Sequence, residues 1–419
     1  MSGGADGSLT VLGLMSGTSV DAIDTALVRF TRDGADPAVL RGEILATGEQ
    51  PWDPGLRREI LAALPPASAD AGTWCRLHAL TGRAFARAAR SALGASGERA
   101  DLVVSPGQTL FHGVEDGRAW GTLQVGDPAA VAAATGLPVL SDVRSADIAA
   151  GGQGAPLVPL LDELLLGDEP SAVLNIGGIA NCSIVGAGEV VAGDTGPGNA
   201  LLDAAVLRAS GGREHVDVDG RLAARGTIDE ELLAALLADP FYARAFPRST
   251  GREHFDADHV DRCAARAGLT QRADPPLEDL LATLVELTAR TIARAVADLG
   301  RGRGLRRVVG SGGGMRNPVL RARLAELLDP LPLSGPESAG LPADAKEAVL
   351  MALIGAMSAH GLPGVLARAD GSAVTGARRP VVLGSWTPPP AGGLALPSLP
   401  HRGPVRRLLL PPLPSEETS

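Results

Sequence analysis

The chain has 419 residues, 45% hydrophobic and 21% charged, which excludes general disorder and favours two domains or one large bilobed unit. Acidic residues outnumber basic ones 48 to 38, and aromatics are only 3%, so a nucleic-acid surface or an anionic-membrane surface is disfavoured. A local pocket for a small anion such as ATP stays open.

Lys346 is the only lysine, which nearly excludes mechanisms built on a P-loop lysine. Cys75, Cys182 and Cys263 are far apart and form no Cys-x-x-Cys pair. That spacing argues against a disulfide framework and a zinc site, and fits a reducing cytoplasm. The start, 1–8, lacks an apolar h-region, and no apolar run is long enough to span a bilayer, so the expectation is a soluble, cytoplasmic protein.

In chain order, strands are predicted at 9–15 and 23–30, joined around 16–19. Helices follow at 56–64 and 74–93, then strands at 101–104 and 123–125. Pro128 opens a helix over 128–135, where its missing N–H costs nothing. A strand begins at 139–140 and a helix covers 157–166. Strands are predicted at 172–176, 180–185 and 189–192, then helices at 198–210 and 277–299. A strand at 307–310 precedes helices at 319–328 and 346–360. Alternating strands and helices give an α/β protein with mixed sheets. The two halves share a plan, an early hairpin with a glycine turn, without a close sequence repeat. From Trp386 onward the chain is proline-rich and reads as an extended or disordered, solvated tail.

Five segments have the residue types of a nucleotide or sugar site. In 13–24, Gly17, Thr18, Ser19, Val20, Asp21, Ala22, Ile23 and Asp24 combine a glycine, hydroxyls and two carboxylates suited to phosphate and Mg²⁺. In 174–181 a strand ends at Gly177 and Gly178. Asp194 sits at the end of the predicted 189–192 strand, before a Gly-Pro turn, where a rigid general base belongs. Gly312, Gly313 and Gly314 permit close approach of a flat ligand such as adenine, with Asn317 just beyond. Arg144 is suited to a carboxylate. Each also has an ordinary reading: a hairpin turn, a Gly-Gly hairpin, a helix-entry Asp, or an Arg–Asp pair fastening a loop. The pattern is neither Gly-x-Gly-x-x-Gly nor a P-loop, and it contains no Gly-x-Ser-x-Gly elbow and no His-Glu-x-x-His.

Taken together, nine segments in order resemble the anhydro-N-acetylmuramic acid kinases. They are Met-Ser-Gly-Thr-Ser-x-Asp-x-x-Asp at 15–24, Ser-x-Gly-Gln-Thr at 105–109, Leu-Gln-x-Gly-Asp at 123–127 and Asp-x-Arg-x-x-Asp with Gly-Gly-Gln-Gly-Ala-Pro-Leu at 142–157. Leu-Asn-Ile-Gly-Gly-Ile-Ala-Asn at 174–181, Asp-Thr-Gly-Pro-Gly-Asn at 194–199, Ser-Thr-Gly-Arg-Glu at 249–253, Gly-Gly-Gly-x-x-Asn at 312–317 and Val-Thr-Gly-Ala at 374–377 complete the set.

The resemblance implies the bilobed fold of the sugar kinase, Hsp70 and actin superfamily, with ATP between the lobes. The lobes are drawn at 8–140 with 365–385, and at 141–364, followed by the tail 386–419. It implies that 17–24 meets the ATP phosphates, that Gly177, Gly178, Gly312–Gly314 and Asn317 serve the nucleotide, and that Asp194 and Glu347 are catalytic. Gln108, Thr109 and Arg144 fall on the sugar side, and Asp21 and Asp194 are candidate Mg²⁺ residues through water. The implied reaction opens 1,6-anhydro-N-acetylmuramic acid with water and phosphorylates O6 from ATP, in peptidoglycan recycling, by a homodimer that needs neither nucleic acid nor membrane. Three residues depart from the family pattern: Pro106 replaces the usual His, Val143 the usual Phe and Ala22 the usual Gly. Pro106 lies in the sugar-side turn, so a kinase of another anhydrosugar such as levoglucosan is the nearest alternative. A non-catalytic ATP-binding regulator and a glycoside hydrolase are the others.

Overall fold

The computed structural model describes residues 7–17, 19–65, 67–115, 118–251, 253–269, 275–391, 394 and 403–413. Thr18 and Arg252 lie outside the described residues, as do 395–402 and 414–419 of the tail. The chain divides into two compact units, 1–165 with 339–419, and 166–338.

The first unit opens with strands β1 (Ser8–Met15), β2 (Ala22–Arg32) and β3 (Val39–Pro51), which pair antiparallel in sequence order. Helices α1 (Pro54–Ala62) and α2 (Ala71–Ser96) lead to β4 (Leu102–Val104), parallel to β1. A separate ribbon, β5 (Gln108–Glu115) with β6 (Arg118–Val125), precedes α3 (Pro128–Thr135) and β7 (Val139–Ser141), which is parallel to β4. Asp127 caps α3 and Pro128 fills its first turn. Helices α4 (Ser145–Ala149) and α5 (Val158–Leu166) follow.

The second unit has β8 (Ser171–Ile176), β9 (Ile179–Val185), β10 (Val191–Pro197), α6 (Ala200–Ala209), α7 (Glu230–Leu237), α8 (His259–Arg266), α9 (Leu277–Gly300), β11 (Arg307–Ser311), α10 (Pro318–Leu328) and β12 (Leu333–Ser334). Its sheet runs β10-β9-β8-β11-β12: an antiparallel meander of three, then two parallel strands. The core of the first unit's sheet, β3-β2-β1-β4-β7, has the same plan. The similarity of plan expected between the halves is therefore one strand order used twice.

The chain then returns to the first unit through α11 (Lys346–Ala359), β13 (Ser385–Thr387) and β14 (Arg407–Leu409). Side chains of β1 alternate between two cores, as the two-residue period of a strand requires. Leu9 and Val11 pack with α5 and α11, whereas Leu12 and Leu14 pack with α1, α2 and α3. In the second unit α6, α9 and α10 cover β8 and β9 in one core.

Three expectations are corrected. The unit boundaries fall at 165/166 and 338/339, because α5 and α11 complete the core over β1 and so belong to the first unit. The strand predicted at 189–192 lies at Val191–Pro197, because its polar start is a turn and its pairing with β9 continues through the Gly-Pro sequence. Part of the tail is not a solvated appendage. Trp386 pairs with Leu140, and β14 lies parallel to β3 with Leu408 fully buried among Leu40, Phe30 and α11.

This docking is testable. Leu408→Ala is expected to lower stability by about 2–4 kcal/mol, the usual cost of truncating a buried leucine, in urea denaturation. A solvated tail would show a change near zero.

Candidate active site

The first unit brings Asp24, Glu347 and Arg144, three of the residues singled out in the sequence, within electrostatic reach along a chain of pairs. Gly13 of β1 is the reason that Glu347 sits there. A Cβ there would lie 2.0 Å from the Ala348 carbonyl oxygen and 2.6 Å from the Ala352 nitrogen, so only glycine lets α11 sit this close to the strand. The contact sets the first turn of α11, with Glu347, beside Asp24 of β2. Burial and the carboxylates of Glu49, Glu347 and Asp344 push Asp24 up to about 6. Burial also raises Glu347, against the opposing charges of Lys346 and Arg144. Lys346 itself is turned to Asp162, in a buried ion pair at 2.7 Å.

Arg144 precedes α4 and donates to the Gly154 carbonyl at 2.7 Å; burial lowers its pKa and Glu347 opposes that. It therefore fastens the 151–157 loop while its charge faces Glu347. Asp147, from the same motif, accepts from the Gly154 N–H at 2.7 Å and the Thr375 hydroxyl at 2.6 Å. That makes it the buried tie between the loop and the Val-Thr-Gly-Ala segment. Gln108 is fully buried and donates to the Gly17 carbonyl at 3.1 Å, joining the sugar-side turn to the phosphate segment. Its Oε1 and the Ser105 hydroxyl have no protein partner among the described residues, an unsatisfied pair of buried polar atoms suited to a polar ligand. Thr109 accepts from Gln124 at 3.4 Å.

In 17–24 the side chains divide. Val20 (φ 53°) and Ile23 are buried in the core, so their side chains are structural. Ser19 is exposed and Ala22 is half-buried. Exposed Asp21 is paired with Arg57 at 3.0 Å, and Arg57 also binds the Ser19 and Val20 carbonyls. The loop is thus held by a clamp that sequence reading missed.

In the second unit Asp194 lies within β10, at a bulge where the register with β9 shifts between Asp194 and Gly196. Bulges re-aim side chains, and this one turns the carboxylate toward 248–250. Its Oδ2 accepts from the Thr250 N–H at 2.8 Å and the Ser249 hydroxyl at 3.1 Å. Oδ1 takes no protein donor among the described residues. Arg248 bonds the Asp194 backbone, donating to its carbonyl at 3.1 Å and accepting its N–H at 2.9 Å. Burial raises the Asp194 pKa, and Thr250, Ser249 and Arg248 oppose the rise.

The glycines of this unit also divide. Carbonyls of Gly177 and Gly178 accept the N–H groups of Gly198, Asn199 and Ala200 at the entry to α6. A Cβ on Gly312 would lie 2.6 Å from Asn175 Oδ1, and one on Gly314 would lie 2.3 Å from Ile176 Cγ2. On exposed Gly313 the nearest atom would be 3.6 Å away. Asn317 accepts from Val319 and Leu320, capping α10.

Two predictions follow from these contacts. Because Asp24 holds its proton more tightly when folded than the usual 3.8 would allow, stability falls as pH rises between about 4 and about 6. Asp24→Asn is therefore expected to raise the melting temperature at pH 8, with the gain vanishing as pH falls toward 4. Gly314→Ala is expected to cost about 1–3 kcal/mol by overpacking, while Gly313→Ala leaves the melting temperature unchanged.

The family model for anhydro-N-acetylmuramic acid kinase matches residues 9–389. Proteins of that name are 48% identical in Streptomyces coelicolor (91% of this chain, 94% of the relative) and 48% identical in Streptomyces avermitilis (96% and 100%). The one in Rhodococcus erythropolis is 43% identical (96% and 99%). Among solved structures, a ROK hexokinase from Thermus thermophilus is 21% identical over 82% of this chain and 98% of that one, with a TM-score of 0.32. With its strand plan repeated in two units, the chain has the actin-like fold of sugar kinases and belongs to the anhydro-N-acetylmuramic acid kinase family.

Proposed function

We propose that the protein hydrolytically opens 1,6-anhydro-N-acetylmuramic acid and phosphorylates O6 from ATP, releasing N-acetylmuramic acid 6-phosphate and ADP. The observation that carries this reading is the Asp194 carboxylate, fixed through Oδ2 by Ser249 and Thr250, with no donor to Oδ1 among the described residues. In this reading Oδ1 accepts a proton from water as the water oxygen bonds to C1. The C1–O6 bond breaks, and O6 takes the γ-phosphoryl group. Burial lifts Asp194 above the usual carboxylate range, nearer the pH where a base works best. The clamp keeps it oriented, and phosphoryl transfer itself depends mainly on positioning and charge neutralisation.

The carboxylates around Asp24 are hard oxygen donors of the kind Mg²⁺ takes, whereas Asp21 is already engaged by Arg57. When bound, Mg²⁺ supplies charge neutralisation on the phosphates of the kind a P-loop lysine gives elsewhere, the only lysine here being paired with Asp162. Gly17, Gly177 and the Gly312–Gly314 segment are assigned to ATP, and Gln108 Oε1, Thr109 and Arg144 to the sugar. Peptidoglycan recycling and a homodimer belong to this reading on the family resemblance alone, and a cytoplasmic location on the cysteine pattern.

The test is ADP release with ATP and Mg²⁺, comparing 1,6-anhydro-N-acetylmuramic acid, levoglucosan and no sugar. Turnover with the muramic substrate alone is expected. Asp194→Asn should reduce it by about 10²–10⁴-fold or more, the usual contribution of a general base, and Ser249→Ala by less. Turnover with levoglucosan alone would overturn the substrate assignment and point to Pro106.

A further inference from the structure

The segment that holds Asp194 is itself tied down by a group of side chains with no part in the proposed chemistry. Asp239, His254 and His259 bring one ligand atom each to within 4.8 Å of one another. His254 Nε2 is 3.0 Å from Asp239 Oδ1, and Cys263 Sγ is 3.5 Å from His259 Nε2. Zinc bond lengths to O, N and S imply ligand-to-ligand edges of about 3.3–3.6 Å in a tetrahedron, close to these two of its six edges; Cys263 Sγ adjoins the group through His259 and is not one of the three mutually close atoms. His259 and Cys263 are four apart on α8 and lie on one face of it. His259 Nδ1 meets the His254 carbonyl at 3.2 Å, which makes Nδ1 the donor and leaves the Nε2 lone pair aimed at Sγ. Asp239, His259 and Cys263 are buried; His254 is partly exposed and gives an entry path.

We propose that Asp239, His254, His259 and Cys263 form a structural zinc site that locks residues 239–263, and with them the Ser249 and Thr250 clamp on Asp194. Two imidazoles, a carboxylate and a thiolate select zinc over the hard cations Mg²⁺ and Ca²⁺. Binding releases the Cys263 thiol proton and moves the His254 proton from Nε2 to Nδ1. Asp239 Oδ1 also accepts from the Phe241 N–H, and Arg266 lies 3.7 Å from Oδ2. Arg266 is the rival cation, with most of its side chain exposed to solvent and so free to swing away. Spacing in the sequence argues against zinc because the ligands come from two loops and a helix; the fold is what assembles them.

The experiment uses the untagged full chain, stripped with a chelator and then loaded with zinc or cobalt(II). One zinc per chain is expected, with a raised melting temperature, and the cobalt form should show the intense visible absorption of a tetrahedral, sulfur-ligated ion. Cys263→Ser and His254→Ala should each weaken zinc binding by about 100-fold or more, since even outer-sphere partners cost 10–100-fold in such sites. Circular dichroism of the metal-free variants reports their folding separately. Substoichiometric zinc, an octahedral cobalt spectrum, or zinc retained equally by both variants overturns the site and leaves Arg266 as its cation. None of these readings depends on turnover, so failure of the kinase reading is distinguishable.

Discussion

The first unit depends on how closely α11 approaches β1. Gly13 permits that approach, and no other residue fits there without moving the helix backbone. Three consequences follow. The apolar face of α11 completes the core on one side of the sheet, with Leu9 and Val11 beneath it. Lys346 is buried where it can reach Asp162, the pairing that makes a buried ammonium tolerable. Glu347 is carried next to Asp24, whose pKa its charge helps to raise, while burial raises Glu347 itself. A chain selected only for stability would not keep this arrangement. Under the proposed function it has a use, because a cation arriving with the phosphates would relieve the like-charge repulsion.

The second unit solves a different problem, holding one carboxylate still without neutralising it. An Asp in a regular strand stands out from one face of the sheet, on the side its register dictates. The bulge in β10 breaks that rule at one residue, and 248–250 supplies the replacement contacts. Both donors reach the same oxygen. One oxygen is thereby fixed, while the other takes no protein donor among the described residues. Arg248 holds the backbone on either side of Asp194 and stacks on Phe241 and Phe246, so it acts on the carboxylate through its charge alone, which partly offsets the effect of burial.

Much of this was legible in the sequence, because the informative residues act locally. Strands with an apolar two-residue period, such as β1, β2 and β8, and helices with proline at the first turn announce themselves. What stayed hidden depends on distant partners. The 39–51 segment, VLRGEILATGEQP, alternates too weakly to read as a strand; pairing with β2 on one side and Leu408 on the other makes it one. Leu408 is masked by the prolines around it, since composition averages over the three residues that dock. The Ser249–Thr250 clamp is visible as a motif but not as a function, because its partner lies 55 residues upstream. His254 and Cys263 carry no zinc signature in their spacing, since Asp239 joins them only through the fold.

The glycines show where motif reading reaches its limit. In a sequence, Gly13, Gly17, Gly177, Gly312, Gly313 and Gly314 are one signal, backbone that must come close to something. The structure separates them by what a methyl group would strike. Gly13, Gly312 and Gly314 face their own protein at 2.0–2.6 Å, so packing alone requires them. At Gly17, Gly177 and Gly313 the nearest atoms would lie 3.6–3.9 Å away, ordinary contact distance. No internal clash forbids a side chain at these three. All three fall in segments that the family resemblance assigns to ATP. In the proposed reading, a glycine that packing does not need is explained by a ligand that must meet bare backbone. Under the proposed ATP assignment, the open glycines, more than the motif letters around them, are the part of each loop that would meet the nucleotide.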